Sequence, residues 1–287
     1  MSILKVPTFA IITGASRGIG RGIAIQLARK IHPDSLIILT ARSLQGLKET
    51  ADIIKRDVDE KLDARCVVAD MSDEKSITKV NKALFENIGP VSRFDHAILV
   101  HNAGTSGDIG KYARELSDIH EIQKHYLINL TAPIALTSAF LKAFEKASAR
   151  LRRTIVQLTS LSATFPQKTL HLYGMSKAAR DLFFRVMALE EPEVKILTYD
   201  PGLVDTDLYS SLQHSKDSDL SELAQYLPER SYFLSPEQPA DALMKTLEED
   251  KYESGATVRC YEVLNIDVLG NKEIFCPRSR LCLLSPL

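Results

Sequence analysis

Twelve residues separate Ser160 from Tyr173, and Lys177 follows four positions after the tyrosine. A hydroxyl can hold a carbonyl oxygen, a phenol can hand it a proton, and an ammonium can tune the phenol. If the chain is helical from Leu170 onward, Tyr173 and Lys177 stand one turn apart on a single face. A free phenol titrates near ~10, and a cation within a few ångströms favours its ionised form. Bringing it close to neutrality takes about 4 kcal/mol, more than one lysine supplies. The spacing therefore predicts a second positive charge nearby, such as an oxidised nicotinamide.

A tyrosine and a lysine four apart also describe a solvated pair on many helices. Three further clusters favour chemistry: TGASRGIG at 13–20, HNAG at 101–104, and Asn129 inside a long helical pattern. Gly14, Gly18 and Gly20 form G-x3-G-x-G after an apolar strand and at a helix start, with Ser16, Arg17 and Ile19 completing the turn. Small residues let backbone approach a pyrophosphate, and a helix amino terminus offers aligned N–H groups. The spacing is looser than G-x-G-x-x-G. Asn102, Ala103 and Gly104 end a strand and are small enough for a cofactor to lie against; Asn102 reads equally as a turn residue bracing the sheet.

Charge argues for the cofactor. A site for NAD places a carboxylate at the end of the second strand, on the ribose 2′-hydroxyl. Here that strand ends Thr40-Ala41-Arg42, and Arg17 sits in the glycine turn. Two guanidinium groups suit a 2′-phosphate, which predicts NADPH/NADP+, although each arginine alone reads as solvated. Asp70, ending the third strand, is placed to meet the adenine.

The elements that must position these groups alternate. Strands are expected at Thr8–Thr13, Ser35–Ala41, Ala64–Ala69, Asp95–His101, Thr154–Leu158, Val194–Tyr199 and Thr257–Val263. Helices are expected at Gly18–Ile31, Leu44–Lys61, Ser72–Ile88, Glu115–Ala147, Leu170–Glu190 and Pro236–Asp250. Runs such as LIILT and HAILV are apolar on both faces, as strands covered on both sides must be. Regular alternation predicts an α/β, single-domain, doubly wound Rossmann fold with a seven-stranded parallel sheet over 1–263. The polar stretch 203–235 follows the sixth strand, where ligands bind in such sheets, and reads as a lid. The tail 264–287, with Cys276 and Cys282, is expected to lie beyond the fold and to be partly disordered.

Bulk properties exclude other classes. A chain of 287 residues with net charge −1, 45% hydrophobic and 25% charged, carries no global field for nucleic acid or an anionic membrane. No apolar run reaches the ~18 residues of a membrane span, and the first residues run straight into a strand rather than a leader. The four cysteines show no C-x-x-C spacing, so no metal site is expected and a reducing cytoplasm is the natural setting.

TGASRGIG, HNAG, Asn129, the Ser160/Tyr173/Lys177 set and PGLVDT at 201–206 together resemble the short-chain dehydrogenase/reductase family, over about residues 8–262. The resemblance implies that Ser160 binds the substrate carbonyl, Tyr173 delivers the proton, and Lys177 binds the nicotinamide ribose and lowers the tyrosine pKa. It further implies that Asn129 holds a water leading to Lys177, and that Pro201, Gly202 and Thr206 line the nicotinamide side. A homodimer paired through the two long helices is implied as well, with Phe183 and Phe184 as candidate contacts.

Within the family, LTSLSATFPQKTLHLY, residues 177–208 and LEEDKYESGATV resemble members that reduce a ketone on the side chain of a pterin. Those members carry an acid on the last strand, where this chain has Arg259. Strand alternation would turn Glu262 to the opposite face, leaving Asp205, Asp207, Glu222 or Glu229 as candidate replacements. Arg259 makes a reductase of other small ketones, diketones or quinones the competing expectation. A non-catalytic NADPH-binding regulatory protein is the third.

Overall fold

The computed structural model describes residues 3–86, 88–145, 150–229 and 232–266. The expected tail lies outside the described residues from 267 on, as do Cys276, Cys282 and the last residues, 146–147, of the expected long helix. Runs of β-branched and leucine residues make the strands. They are β1 (Thr8–Thr13), β2 (Leu36–Ala41), β3 (Asp63–Val68), β4 (His96–His101), β5 (Arg152–Leu158), β6 (Val194–Asp200) and β7 (Ala256–Arg259). All pair in parallel, in the order β3-β2-β1-β4-β5-β6-β7. The winding reverses between β1 and β4, so their carboxyl ends part and leave a crevice there.

Side chains alternate across the sheet, which divides the core into two layers. Ala10 and Ile12 face α1 (Gly18–Ala28) and α2 (Leu44–Asp57), through Ile23, Leu27, Leu47 and Ile54. Phe9 and Ile11 face the other layer, which holds Leu84 of α3 (Glu74–Phe85). The long helix expected from residue 115 begins at Ile119 and is divided: α4 (Ile119–Tyr126), one π-helical turn at Leu127–Thr131, then α5 (Ala132–Ala143). By length and composition the stretch Ile119–Ala143 is apolar enough to cross a membrane. Here, Leu136 and Phe140 bury it in the core instead, and Glu121, Lys124 and Lys142 interrupt it.

The helix α6 (His171–Glu190) lies on the same face of the sheet. Phe184 is fully buried there and Phe183 packs against the same core, so Phe184 is no candidate for a subunit contact. The outer face of α6 carries Met175, Leu182, Val186 and Leu189, all exposed.

The 203–235 stretch contains two helices that sequence periodicity does not announce, α7 (Asp207–Ser211) and α8 (Ser218–Tyr226). Tyr209, Ala224, Leu227 and Tyr232 give it a small core of its own. Its ends meet where Asp205 N–H donates to Leu234 O at 2.9 Å. After α9 (Glu237–Glu249) comes the largest departure from expectation. The last strand stops at Arg259, and residues expected to extend it wind into α10 (Cys260–Leu264). Tyr261 of α10 accepts from Leu203 N–H at 2.8 Å and donates to Tyr232 O at 2.9 Å.

Candidate active site

A cavity of about 1760 Å³ runs along the carboxyl edge of the sheet, and the expected catalytic and cofactor residues other than Gly20 and Asn129 contribute to its wall, whereas the candidate acids Glu222 and Glu229 do not. At one end, Gly14 and Gly18 adopt positive φ, +69° and +54°, where a side chain would be strained. A Cβ on Gly14 would stand 2.7 Å from Asn102 Nδ2, and one on Gly20 would run into Gly14 O and the same amide. The turn is therefore tight because strand β4 presses on it. Asn102 Nδ2 donates to Thr13 O at 2.9 Å, and the Asn102 and Ala103 N–H groups both donate to Thr13 Oγ1 at 3.0 Å. Asn102 thus braces β1 against β4 and shapes the cavity floor.

Two braces of the glycine turn escape sequence reading. Arg21 Nη2 donates to Ser16 O at 2.5 Å and pairs with Glu49 at 2.8 Å. Thr50 Oγ1 donates to Ala15 O at 2.8 Å. A small-residue cradle at a helix amino terminus fits a dinucleotide pyrophosphate. Arg17, Arg42 and Ser43 line the same end, with Asp70 beyond them. Arg17 is ion-paired with Asp207 at the start of α7, both largely exposed. Arg42 lies close enough to Asp70 to help hold its carboxyl below the usual range, after the larger effect of Ser72 N–H.

At the other end, Ser160 follows β5 in extended conformation and Tyr173 stands on the first turn of α6. Burial pushes the Tyr173 phenol up, and the neighbouring Ser160 hydroxyl opposes this by favouring the phenolate. Lys177 Nζ lies 5.5 Å from the centre of the tyrosine ring and donates to Leu158 O at 2.6 Å. Burial first, then the charge of Arg180, presses Lys177 down to about 7. Lys177 does not figure among the groups that shift the tyrosine here, because its ammonium is turned to the Leu158 carbonyl.

Asn129 sits fully buried in the π-turn. Its Oδ1 accepts from Thr105 N–H at 2.9 Å, and its Nδ2 donates to Thr105 O at 2.8 Å and to His125 Nε2 at 2.9 Å. The side chain thus clamps the loop after Gly104. A π-turn is a costly irregularity that recurs at functional sites.

Pro201 and Gly202 (φ +77°) leave β6, and the Tyr261 ring fills the space a Gly202 side chain would take, 2.7 Å from its Cβ position. Thr206 caps α7 and approaches the Gly18 position at 3.3 Å, so the 203–235 stretch begins directly over the glycine turn. Above the phenol, Ile109, Leu170 and Leu220 close an apolar cluster with Tyr173.

Arg259 lies opposite Asp200 in the β6–β7 register. Its Nη1 donates to Glu262 Oε1 at 3.0 Å, both groups being more than half exposed in the cavity wall. Alternation was expected to separate these two. It does not, because after Arg259 the chain is helical and i, i+3 residues share a face. The wall also takes Asp205 and Asp207. Asp200 itself is buried and pushed up by that burial, an effect opposed by Gly202 N–H, Arg259 and Lys177.

The family model for short chain dehydrogenases matches residues 8–217. Sepiapterin reductases of Bos taurus and Mus musculus are each 36% identical to this chain over 256 residues, covering 89% and 88% of it and 95% and 96% of themselves. A benzil reductase ((S)-benzoin forming) of Bacillus subtilis is 31% identical over 244 residues, 83% of this chain and 92% of its own. Among solved structures, the L-sorbose reductase of Gluconobacter frateurii, complexed with NADPH and L-sorbose, superposes with a TM-score of 0.73 at 24% identity, covering 90% of this chain and 97% of the other. That likeness concerns the fold. With a sheet wound in this order and a family match over most of its length, the chain belongs to the short-chain dehydrogenase family and is an oxidoreductase that works with a nicotinamide cofactor.

Proposed function

We propose that this chain is a cytoplasmic, NADPH-dependent reductase of a ketone on the side chain of a pterin, with the activity of a sepiapterin reductase. The observation that carries the reaction type is the Tyr173–Ser160 hydroxyl pair, in one cavity with Lys177 and the glycine turn. The full-length similarity to sepiapterin reductases supports the substrate class. The free thiols of Cys66 and Cys260 suit a reducing compartment.

A dihydronicotinamide held along the cavity by these residues would supply the hydride that the carbonyl carbon needs. Ser160 holds the carbonyl oxygen. As that oxygen gains negative charge, Tyr173 gives it the phenolic proton, so ketone, hydride and proton become the alcohol. Lys177 would hold the ribose of the cofactor, and its charge there would favour the tyrosinate left behind. Asn102, Ala103 and Gly104 form the floor, Pro201, Gly202 and Thr206 the nicotinamide side, and Asp70 the adenine end. Gly14, Ser16, Gly18, Ile19 and Gly20 receive the pyrophosphate.

Arg17 and Arg42 hold the 2′-phosphate, which selects NADPH over NADH. Arg42→Ala is expected to raise the KM for NADPH roughly tenfold or more and to leave the KM for NADH unchanged. Equal loss with both cofactors removes the arginine from this role.

The Arg259–Glu262 pair favours a second reading. A guanidinium in the wall suits a diketone or quinone oxygen better than the amino edge of a pterin, and the Bacillus benzil reductase is a relative. Steady-state kinetics separate the two: kcat/KM for sepiapterin far above that for benzil and simple diketones supports the first, and parity or the reverse supports the second. NADPH binding without turnover of any carbonyl would leave a regulatory binding protein. A homodimer fits the exposed apolar stripe Met175, Leu182, Val186 and Leu189 on α6, with Ile119 of α4 also exposed. A monomer in sedimentation equilibrium removes it.

A further inference from the structure

Arg180 is the largest of the fully buried side chains. Its Nη2 donates to His101 O at 3.1 Å, while Nε and Nη1, equally buried, have no hydrogen-bond partner among the described residues. A guanidinium stays charged at physiological pH, and burying one with few bonds is unfavourable. An arginine kept as a strut would be tied by its whole fork; this one is tied by a single bond. Its charge, rather than its bonds, is what the site retains.

The helical period places Tyr173, Lys177 and Arg180 on one face of α6, at i, i+4 and i+7, and all three are buried. Opposite them stands Asp200, one residue beyond Tyr199, whose register partner Leu158 supplies the carbonyl that holds Lys177. The other charged groups are accounted for. Asp181 on α6 receives Gln157 at 2.6 Å and Thr159 at 2.8 Å, and its charge raises Lys177 ahead of that of Asp200. His101 on β4 is held neutral by burial and by Arg180 itself. Arg259 on β7 faces Asp200 rather than the lysine.

We propose that Arg180 is a positioning residue of the reaction: a fixed positive charge, opposed by the Asp200 carboxylate, that acts through Lys177 and Tyr173 to set the pH at which the tyrosine yields its proton. This rests on the reading of Tyr173 as proton donor. Electrostatics agree in sign at both groups. Arg180 lowers Lys177 and lowers Tyr173, and Asp200 raises both. Without the opposing pair, burial and the Ser160 hydroxyl would govern the phenol.

Ketone reduction needs Tyr173 protonated, so its rate falls as pH rises through the tyrosine–lysine titration. Arg180→Met removes the cation, raises both groups and moves this alkaline limb up by roughly one pH unit. Asp200→Asn removes the anion and moves the limb down by a similar amount. Arg180→Lys keeps the charge and leaves the limb in place. Phenolate absorbance, titrated in the free protein and corrected with Tyr173→Phe in each background, follows the same shifts without turnover. Opposite shifts in the two variants support the proposal. Limbs and phenolate titrations that stay put, or shift the same way in both, overturn it. If Arg180→Met does not fold, Asp200→Asn alone decides on the same criterion. A Tyr173→Phe enzyme as active as the parent would sink the donor reading instead, and the absorbance titration would still report the field of Arg180.

Discussion

Tyr173→Phe is expected to lower kcat for ketone reduction by about 10³-fold, with NADPH affinity unchanged. The loss follows from the arrangement at the end of β5 and the start of α6. The phenol is buried beside Ser160 and under the apolar cluster of Ile109, Leu170 and Leu220. Water has poor access to the carbonyl oxygen there, so no solvent proton donor easily replaces the hydroxyl. Removing one oxygen leaves packing nearly as it was, because the ring remains among the same apolar neighbours. Single-turnover reduction, followed as loss of dihydronicotinamide absorbance, measures the effect, and cofactor fluorescence measures binding. A rate within tenfold of the parent would assign the proton to another group.

Gly20→Ala is expected to have the second largest effect, on both stability and cofactor binding. The added methyl meets Gly14 O and Asn102 Nδ2, groups of the turn and of the brace that fixes it to β4. Neither is the free end of a flexible side chain. Relief requires α1 to move away from β1, which loosens the contact of Ile23 and Leu27 with the core. Overpacking of this kind costs about 1–3 kcal/mol or more, and the displaced turn no longer presents its N–H groups to a pyrophosphate. The melting temperature drops and NADPH affinity falls together. Retention of both would show that the turn has slack the geometry does not suggest.

Much of this architecture is legible in the sequence because strands covered on both faces and amphipathic helices leave different periods. β1 runs over Thr8–Thr13 as its apolar run dictates, and α6 begins one residue after Leu170. The glycine turn, the end of β4, Ser160, Tyr173 and Lys177 meet at one crevice because strand order alone puts them there. Legibility fails where tertiary contact overrules local pattern. Thr257 to Val263 reads as a strand by its β-branched and aromatic residues, yet after Arg259 the sheet has no further neighbour beyond β7 and the chain winds into α10. The lid helices α7 and α8 are short and carry mixed polarity, so their period is too brief to see. The π-turn leaves no mark at all, since one extra residue in a helix changes no composition.

The charges around Lys177 illustrate a different limit. Arg180 stands where the helical period of α6 calls for an apolar residue, and that mismatch is the signal by which sequence reading could have found it. Asp200 offers less: an acid before Pro201 looks like any turn. Only the register of β6 with β5 and β7 shows that it is buried between the lysine and Arg259.

The hydroxyl of Tyr261 fastens both hems of the 203–235 flap, at Leu203 and at Tyr232, two residues beyond the charged pair's Arg259. One side chain of α10 thus ties together the start of the stretch and a point near its end. Because Arg259, Glu262 and Tyr261 share one short length of backbone, the charged wall of the cavity and this tie are held in fixed relation to each other.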